Sequence, residues 1–362
     1  MYKFSKILEK AFANPADKAQ TRTLRDMFCH AFRMHFQNAA MAEIPPGNLI
    51  PETDKTVLFT GSTISTLKPL LMEETIPPQG IFMIQQCLRT QNAVSIQDES
   101  FTPCWSSAFI STGTLSHYKD LDKISALFWS FLTQRLELDQ SKIRVHITNT
   151  DSDIAHYWKA AGLEQHLVFD TKNPVYYTHK YGIDGVRGRN CNIAIQDPYS
   201  NEYKDIGNII VIETDKKKLA VEMAYGVETA ISRILGFPTP IHAAPMAEFL
   251  PTHTSAELKI TDALAASVLI LNAGIKPVAT GGRGRMLRRY LQGIAELQPY
   301  TDISSIDFQK AAESFEVHNL GKKSNVGLFI VKYLEDYRKL KSTLAPDRGT
   351  LNRALTQSVP EL

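Results

Sequence analysis

Leu219-Ala220-Val221-Glu222-Met223-Ala224-Tyr225-Gly226-Val227-Glu228-Thr229 is the stretch on which the reading of the fold turns. Leu219 to Met223 reads as an apolar strand that runs into a helix from Gly226 to Leu235. Glu222 interrupts the apolar run, and a carboxylate buried there needs a partner. That partner is either a ligand or an internal Lys or Arg. Ala224 and Gly226 are small, which lets a ligand approach the backbone or lets strand and helix pack tightly.

Upstream, Thr21 to Ala40 reads as a helix with Leu24, Met27, Phe28, Ala31 and Phe32 on one face, and Ile44-Pro45-Pro46-Gly47 ends it. Thr56 to Thr60 and Ile81 to Leu88 are expected strands. Ala108 to Leu115 is the antiparallel partner of Ile81 to Leu88 across a polar loop from Thr90 to Pro103. A helix over Leu121 to Leu136, a strand over Ile143 to Thr148 and a helix from Asp151, its expected N-cap, follow. Cys191 to Ile195 and Asn208 to Glu213 are further strands. Downstream, Pro238 to Thr254 is a linker. Helical patterns then cover Lys259 to Ala273, Arg283 to Leu297, Asp307 to Phe315 and Val326 to Leu340. Strands dominate one part and helices the other, so the expected class is α+β: a first domain over 1–245 and an all-α domain over 255–362.

Composition sets bounds. The chain has 362 residues, enough for two domains, with 43% hydrophobic and 22% charged residues as in ordinary globular proteins. Its net charge of +2 does not by itself point to nucleic acid. From Glu257 onward, 15 Lys and Arg against 11 Asp and Glu make that end mildly basic. Cys29, Cys87, Cys104 and Cys191 form no C-x-x-C pair, so a reduced compartment without structural zinc or other protein-bound metal is expected. No apolar run approaches the ~18 residues of a membrane span. The charged N-terminus lacks an apolar signal core, so the cytoplasm is the expected location.

Four segments, in order, resemble alanyl-tRNA synthetase. Asn48-Leu49-Ile50-Pro51 with Thr56 to Thr60 looks like its "TLLFTNAGM" segment, and Gln85-Gln86-Cys87-Leu88-Arg89 like its "SQRCVR". Val221 to Thr229 looks like "VDTGMGLER", and Arg283-Gly284-Arg285-Met286-Leu287-Arg288-Arg289 like "RGYVLRR". Ala273 to Pro277 fits "ADGVMP". The resemblance spans roughly residues 20 to 300 and implies a class II synthetase antiparallel core followed by a shortened helical domain, without the family's editing and C-terminal oligomerising regions.

The implied chemistry is attack of an amino acid carboxylate on the α-phosphate of ATP, with Mg²⁺. Fixed cations matter most for such a step, and the arginine fork suits it. Arg89 falls at the family's phosphate-holding arginine, although an arginine there can also simply cap a sheet edge. Gly226 and Arg233 are the other ATP-side candidates. Glu222 replaces the family's ammonium-binding aspartate, and Asn208 and Ala224 lie beside it as amino-acid-side candidates. Gly185 to Asn192 resembles a family loop, to which Arg187 and Arg189 add candidate phosphate or carboxylate contacts. Arg283, Arg285, Arg288 and Arg289 are candidate tRNA contacts.

Three features depart from the pattern. Thr229 stands where the family has an ATP-binding arginine, and Arg233 shares its helix face four residues on. The loop from Gln91 to Ser107 lacks the family's histidines and arginine. Gly282 replaces an asparagine that reads the G:U pair of the acceptor stem. The resemblance therefore implies a divergent paralogue. One reading is a ligase that activates a small, alanine-like amino acid for tRNA or a carrier-type acceptor. The others are a degenerate homologue that binds without chemistry, and a module that binds tRNA weakly. A homodimer is left open.

Overall fold

In a computed structural model, residues 3–14, 17–52, 54, 56–277, 282–343, 351–352 and 354–355 are described. The chain divides into two units. The first comprises Met1–Val57, Gly61–Gln86 and Ile110–Phe237, and the second Leu58–Thr60, Cys87–Phe109 and Pro238–Leu362.

The first unit is organised by a mixed sheet. Its strands are β1 (Ala42–Glu43), β2 (Ile81–Leu88), β3 (Ala108–His117), β4 (Ile143–Ile147), β5 (Leu167–Phe169), β6 (Thr178–Lys180), β7 (Arg187–Gln196), β8 (Tyr203–Glu213) and β9 (Lys218–Gly226). Their order is β1-β2-β3-β9-β8-β7-β4-β5, with β6 also on β7. The β1–β2 and β4–β5 pairs at the two ends are parallel. From β3 to β4 the pairs through β9, β8 and β7 are antiparallel. The helices of this unit are α1 (Phe4–Ala13), α2 (Lys18–Asn38), α3 (Thr63–Met72), α4 (Leu121–Ser130), α5 (Ser152–Ala160) and α6 (Val227–Leu235).

Alternation along the strands gives this sheet two unlike faces. One is aromatic. Tyr225 of β9 stacks on Phe128 of α4 with ring centroids 4.6 Å apart, and Phe28 of α2 meets it edge-on at 5.6 Å. Leu24, Phe28, Phe32 and Phe36 of α2 have no exposed surface, whereas Met27 and Ala31, expected on the buried face, are half-buried at its margins. Thr21 and Arg25 take the remaining buried positions of the helix. The other face is apolar only where α3 crosses it, with Ile64, Leu67 and Leu71 packed on Leu115, Ile210, Ile212 and Ala220.

Local corrections follow. Thr56 to Thr60 form turns and bends rather than a strand. The helix from Leu121 ends at Ser130 and passes into a π turn over Phe131–Arg135. Asp151 stands at the N-cap of α5, but its side chain does not cap the helix. It accepts hydrogen bonds from Thr148 and Arg189 instead. α1 and α3 were not expected. α3 carries Pro69 inside it.

In the second unit, a capping box of Thr254 and Glu257 starts α7 (Ser255–Asn272), four residues before the apolar pattern begins. α8 (Gly282–Leu297), α9 (Ser305–Phe315) and α10 (Val326–Thr343) follow it. Leu287, Tyr290, Leu291, Ile294, Phe308 and Ile330 are fully buried in its core.

Arg189 braces the aromatic face of the sheet. Its guanidinium binds Asp151, Asp153 at 3.0 Å and Glu213 at 2.9 Å, and Lys218 joins Asp153. Burial alone would raise the carboxyl of Asp153, but hydrogen bonds from Arg189 and Lys218 outweigh it and hold the group well below its usual range. Glu213 is lowered in the same way. Acids depressed on folding stabilise above their unfolded pKa, and that stability is lost as pH falls through the folded pKa. The wild type should therefore lose stability between about pH 5 and pH 2. Arg189→Met should cost on the order of 3 kcal/mol at neutral pH by removing the cation that Asp151, Asp153 and Glu213 share, with Lys218 left for Asp153 and Arg187 for Glu213. Acid should then restore part of that loss, reversing the slope of a urea-denaturation pH profile. Parallel profiles for the two proteins would contradict this account of the network.

Candidate active site

The registers of the first unit's sheet bring several expected residues into line. His146, Asn192, Asn208, Ala224 and Gly113 lie side by side across β4, β7, β8, β9 and β3. One pleat away, on the same face, Asn190, Ile210, Glu222 and Leu115 form a second row. Gly226 follows Ala224 on that face, opposite Ser111 of β3. Thus Asn208, Glu222, Ala224 and Gly226 share one face of the sheet. Glu222 stands at the border between the apolar cluster under α3 and the polar row.

Glu222 is 3% exposed and accepts a hydrogen bond from the Tyr181 hydroxyl at 2.9 Å. Burial, with Glu222 beside it, pushes the Tyr181 phenol well above its usual range, so Tyr181 acts as a neutral donor. The polar row is tied together by further bonds. Asn190 donates to Asn192, Asn192 donates to Asp205 at 2.9 Å, and Tyr176 donates to the same carboxylate at 2.7 Å. Burial lowers the pKa of His146, whose Nδ1 has no hydrogen-bond partner among the described residues. The row therefore presents side-chain amides and a largely neutral imidazole, polar groups that can orient a ligand.

Small residues keep this face low. A Cβ on Gly113 would lie 2.3 Å from Thr63 Oγ1, so only glycine admits the first turn of α3 there. Gln85 of β2 pairs both its amide groups with the backbone of Gly47, at 2.7 and 3.0 Å, pinning the Pro-rich segment that follows α2.

Arg187 and Arg189 lie on the opposite face, because β7 alternates and Asn190 and Asn192 point to the first one. Their contacts are carboxylates of the chain itself: Arg187 binds Glu213 at 3.3 Å and Asp215 at 3.2 Å. In α6, Thr229 and Arg233 occupy the half-buried stripe of an otherwise buried helix. Arg233 Nε is buried without a hydrogen-bond partner among the described residues. Glu228, between them and the strand, is fully buried and accepts from the Ile110 amide at 2.9 Å. Burial pushes its carboxyl up to about 7.

In the second unit, Arg89 leaves the end of β2 and is exposed. Its guanidinium lies over the Phe109 ring, 5.1 Å from the centroid. This contact steadies the side chain at the strand end. On α8 the four arginines differ. Arg285 is exposed and Arg289 half-buried. Arg283 donates to the Leu58 carbonyl. Arg288 is 8% exposed, and burial lowers its pKa. Gly282, the first residue of the helix, has φ +57°, a conformation that favours glycine.

Tyr181, His146, Asp205 and Tyr176 were not among the expected site residues. Their partners lie 29 to 41 positions away for Tyr176 and Tyr181. The glycine inside the strand run around Gly113 was the available signal, since an interior strand glycine marks close approach of another segment.

Comparison with known proteins places this geometry. The family model of the class II (A) tRNA synthetases matches residues 27–217, more than half of the chain. The alanine–tRNA ligase of Elusimicrobium minutum is 24% identical over 310 residues, covering 72% of this chain and 34% of the relative. That of Rickettsia prowazekii is 24% identical over 299 residues with the same coverage. The chain thus spans about a third of the length of these curated relatives. Among solved structures, asparaginyl-tRNA synthetase from Pyrococcus horikoshii with asparaginyl-adenylate is similar at a TM-score of 0.40 and 12% identity, covering 63% of this chain and 68% of that one. By its matched domain, the chain belongs to the class II (A) tRNA synthetases.

Proposed function

We propose that the chain activates a small, alanine-like amino acid as its aminoacyl adenylate and passes it to tRNA or to a carrier-type acceptor. In the first step a carboxylate oxygen of the amino acid bonds to the α-phosphorus of ATP. The bond to the bridging oxygen breaks, and pyrophosphate leaves with that electron pair. The observation that carries this reading is Arg89, exposed at a strand end with its guanidinium over the Phe109 ring. A fixed guanidinium is the group that such a charge-gathering transition state needs. Arg233, with its unpartnered Nε, supplies a cation on the helix stripe where Thr229 does not. Glu222 and Asn208 are the proposed contacts for the amino acid, with Ala224 and Gly226 leaving room beside them.

ATP brings Mg²⁺ as a counterion. Among the described residues no group of three or more His, Cys, Asp or Glu gathers to hold a metal, so the ion would be held chiefly by the phosphates. No helix among the described residues is long and apolar enough to cross a membrane.

Thr229 supports a second reading, a homologue that binds ligands without forming adenylate. The two separate on Arg89. Arg89→Ala should lower ATP–pyrophosphate exchange by about 100- to 1000-fold, the usual cost of losing one preorganised donor, with an unchanged melting temperature. Wild-type protein that binds ATP but exchanges no pyrophosphate with any amino acid would leave the second reading.

Glu222→Gln should weaken amino acid binding by at least about tenfold while leaving ATP binding unchanged, because the lost charge is the one proposed to meet the ammonium and not the phosphates. Calorimetry with each ligand separately checks this. Equal loss of both ligands would instead mark the Glu222–Tyr181 pair as structural.

Binding of tRNA should be weak and should not favour the alanine acceptor stem. Arg283, Arg285 and Arg289 are the α8 arginines with exposed surface to offer a phosphate backbone, and phosphate contacts carry no sequence information. Gly282 has no side chain with which to read a base edge, a contact that contributes ~1–3 kcal/mol of discrimination. Affinity should be equal for alanine tRNA with its G:U pair and with G:C, and should fall with salt. A clear G:U preference surviving high salt would contradict this.

A further inference from the structure

Beyond Arg89 itself, the second unit contains a buried polar network with no role in the site described so far. Its centre is Asp262, in the middle of the apolar helix α7 and 3% exposed. Asp262 Oδ1 accepts the Ser107 amide at 2.6 Å. Its Oδ2 accepts the Ser107 hydroxyl at 2.6 Å and the Asn92 side-chain amide at 2.9 Å. Tyr290 of α8 adds its hydroxyl to Ser107 Oγ at 2.9 Å and reaches the Arg89 carbonyl at 3.5 Å. Asn92 also donates to the Trp105 carbonyl at 3.0 Å, so its amide bridges the two ends of one loop. Asn92, Ser107 and Tyr290 are themselves 3%, 0% and 0% exposed.

These bonds sit at both ends of the loop from Thr90 to Ser107, which begins beside Arg89 and ends two residues before Phe109, the ring on which Arg89 lies. The Arg89 amide also donates to the Ser107 carbonyl at 2.9 Å, closing the loop. Farther along, Ile96 is seated on Gly293 of α8, where a Cβ would lie 2.5 Å from it. Lys259 of α7 donates to the Asp98 carbonyl at 2.6 Å. The loop is fastened along its length to α7 and α8.

A core of apolar side chains would fasten a loop without the cost of a buried carboxylate. Burial raises the pKa of Asp262, and only the three donors from Ser107 and Asn92 oppose that rise. The Ser107 and Asn92 amides are obligate donors, so the group they fit is the carboxylate with both oxygens accepting. An acceptor with two oxygens at fixed angles sets direction as well as distance. We propose that Asp262 is a positioning residue for Arg89: through Ser107 and Asn92 it fixes both flanks of the loop and so the place from which the guanidinium acts. This rests on the adenylate-forming reading, and deepens it by assigning part of the helical unit to the chemical step rather than to tRNA alone.

The test is a double-mutant cycle in ATP–pyrophosphate exchange. Asp262→Asn turns one of the two accepting oxygens into an amide donor, so that either the Ser107 amide or the Asn92 amide faces another donor. It should lower kcat by about 100-fold, as displacement of a reacting group by about 1 Å does. In an Arg89→Ala background the same change should have almost no further effect, because Asp262 acts through Arg89. Tyr290→Phe removes one hydroxyl from a packed ring and should give a smaller loss of the same non-additive kind. If Asp262→Asn does not fold, Tyr290→Phe carries the cycle. Additive losses, or a lowered melting temperature with unchanged kcat, would overturn the proposal. If the wild type makes no adenylate, the functional reading fails separately. Amide hydrogen exchange then decides the positioning claim: Asp262→Asn or Tyr290→Phe should deprotect residues 90–107 while α9 and α10 keep their protection, and unchanged protection of the loop overturns it.

Discussion

The double pairing of β9, with β3 on one side and β8 on the other, is the constraint on which the first unit depends. Strand side chains alternate, so this pairing decides every neighbour of Glu222 at once. It sets Glu222 beside Ile210 and Leu115, and Ala224 beside Asn208 and Gly113. A slip of one residue would move Tyr225 out of the aromatic core and Glu222 into it. Phe28, Phe128 and Phe131 all pack on Tyr225, so they defend the register that displays the polar row on the other face.

The two faces divide the charged residues by task. Arg189 is surrounded by carboxylates of its own chain, a requirement of burying charge, and braces α5 against β7 and β8. Arg89 lies over the Phe109 ring instead, a contact that steadies an exposed guanidinium. The type of residue is the same, and the surroundings separate a structural arginine from one suited to a ligand. Glu222 lies between these cases, since Tyr181 donates to it and the sheet encloses it.

Much of this was legible in the sequence where a local pattern carried it. The apolar runs of β2, β3, β8 and β9, the helix entered at Gly226 and the helices of the second unit follow from period and composition. What failed was set by distant partners. Thr56 to Thr60 has strand-like residues but forms a turn and bends, because β propensity depends on context, and a single backbone bond such as that from Leu88 to the Thr60 carbonyl does not make a ladder. Arg187 and Arg189 gave no local sign that their partners were Asp151, Asp153, Glu213 and Asp215. Asp262 was hidden within an apolar, Ala-rich helix, and its partner Asn92 is 170 positions away. The second unit is built from three separate pieces of chain, which no linear composition shift reveals.

The central claim is that this fold performs amino acid activation. Wild-type protein incubated with ATP, Mg²⁺ and each of the twenty amino acids in turn, followed by mass spectrometry of the quenched mixture, tests it directly. The account predicts an aminoacyl adenylate with a small amino acid and an equal amount of pyrophosphate. Intact ATP in all twenty mixtures would contradict it.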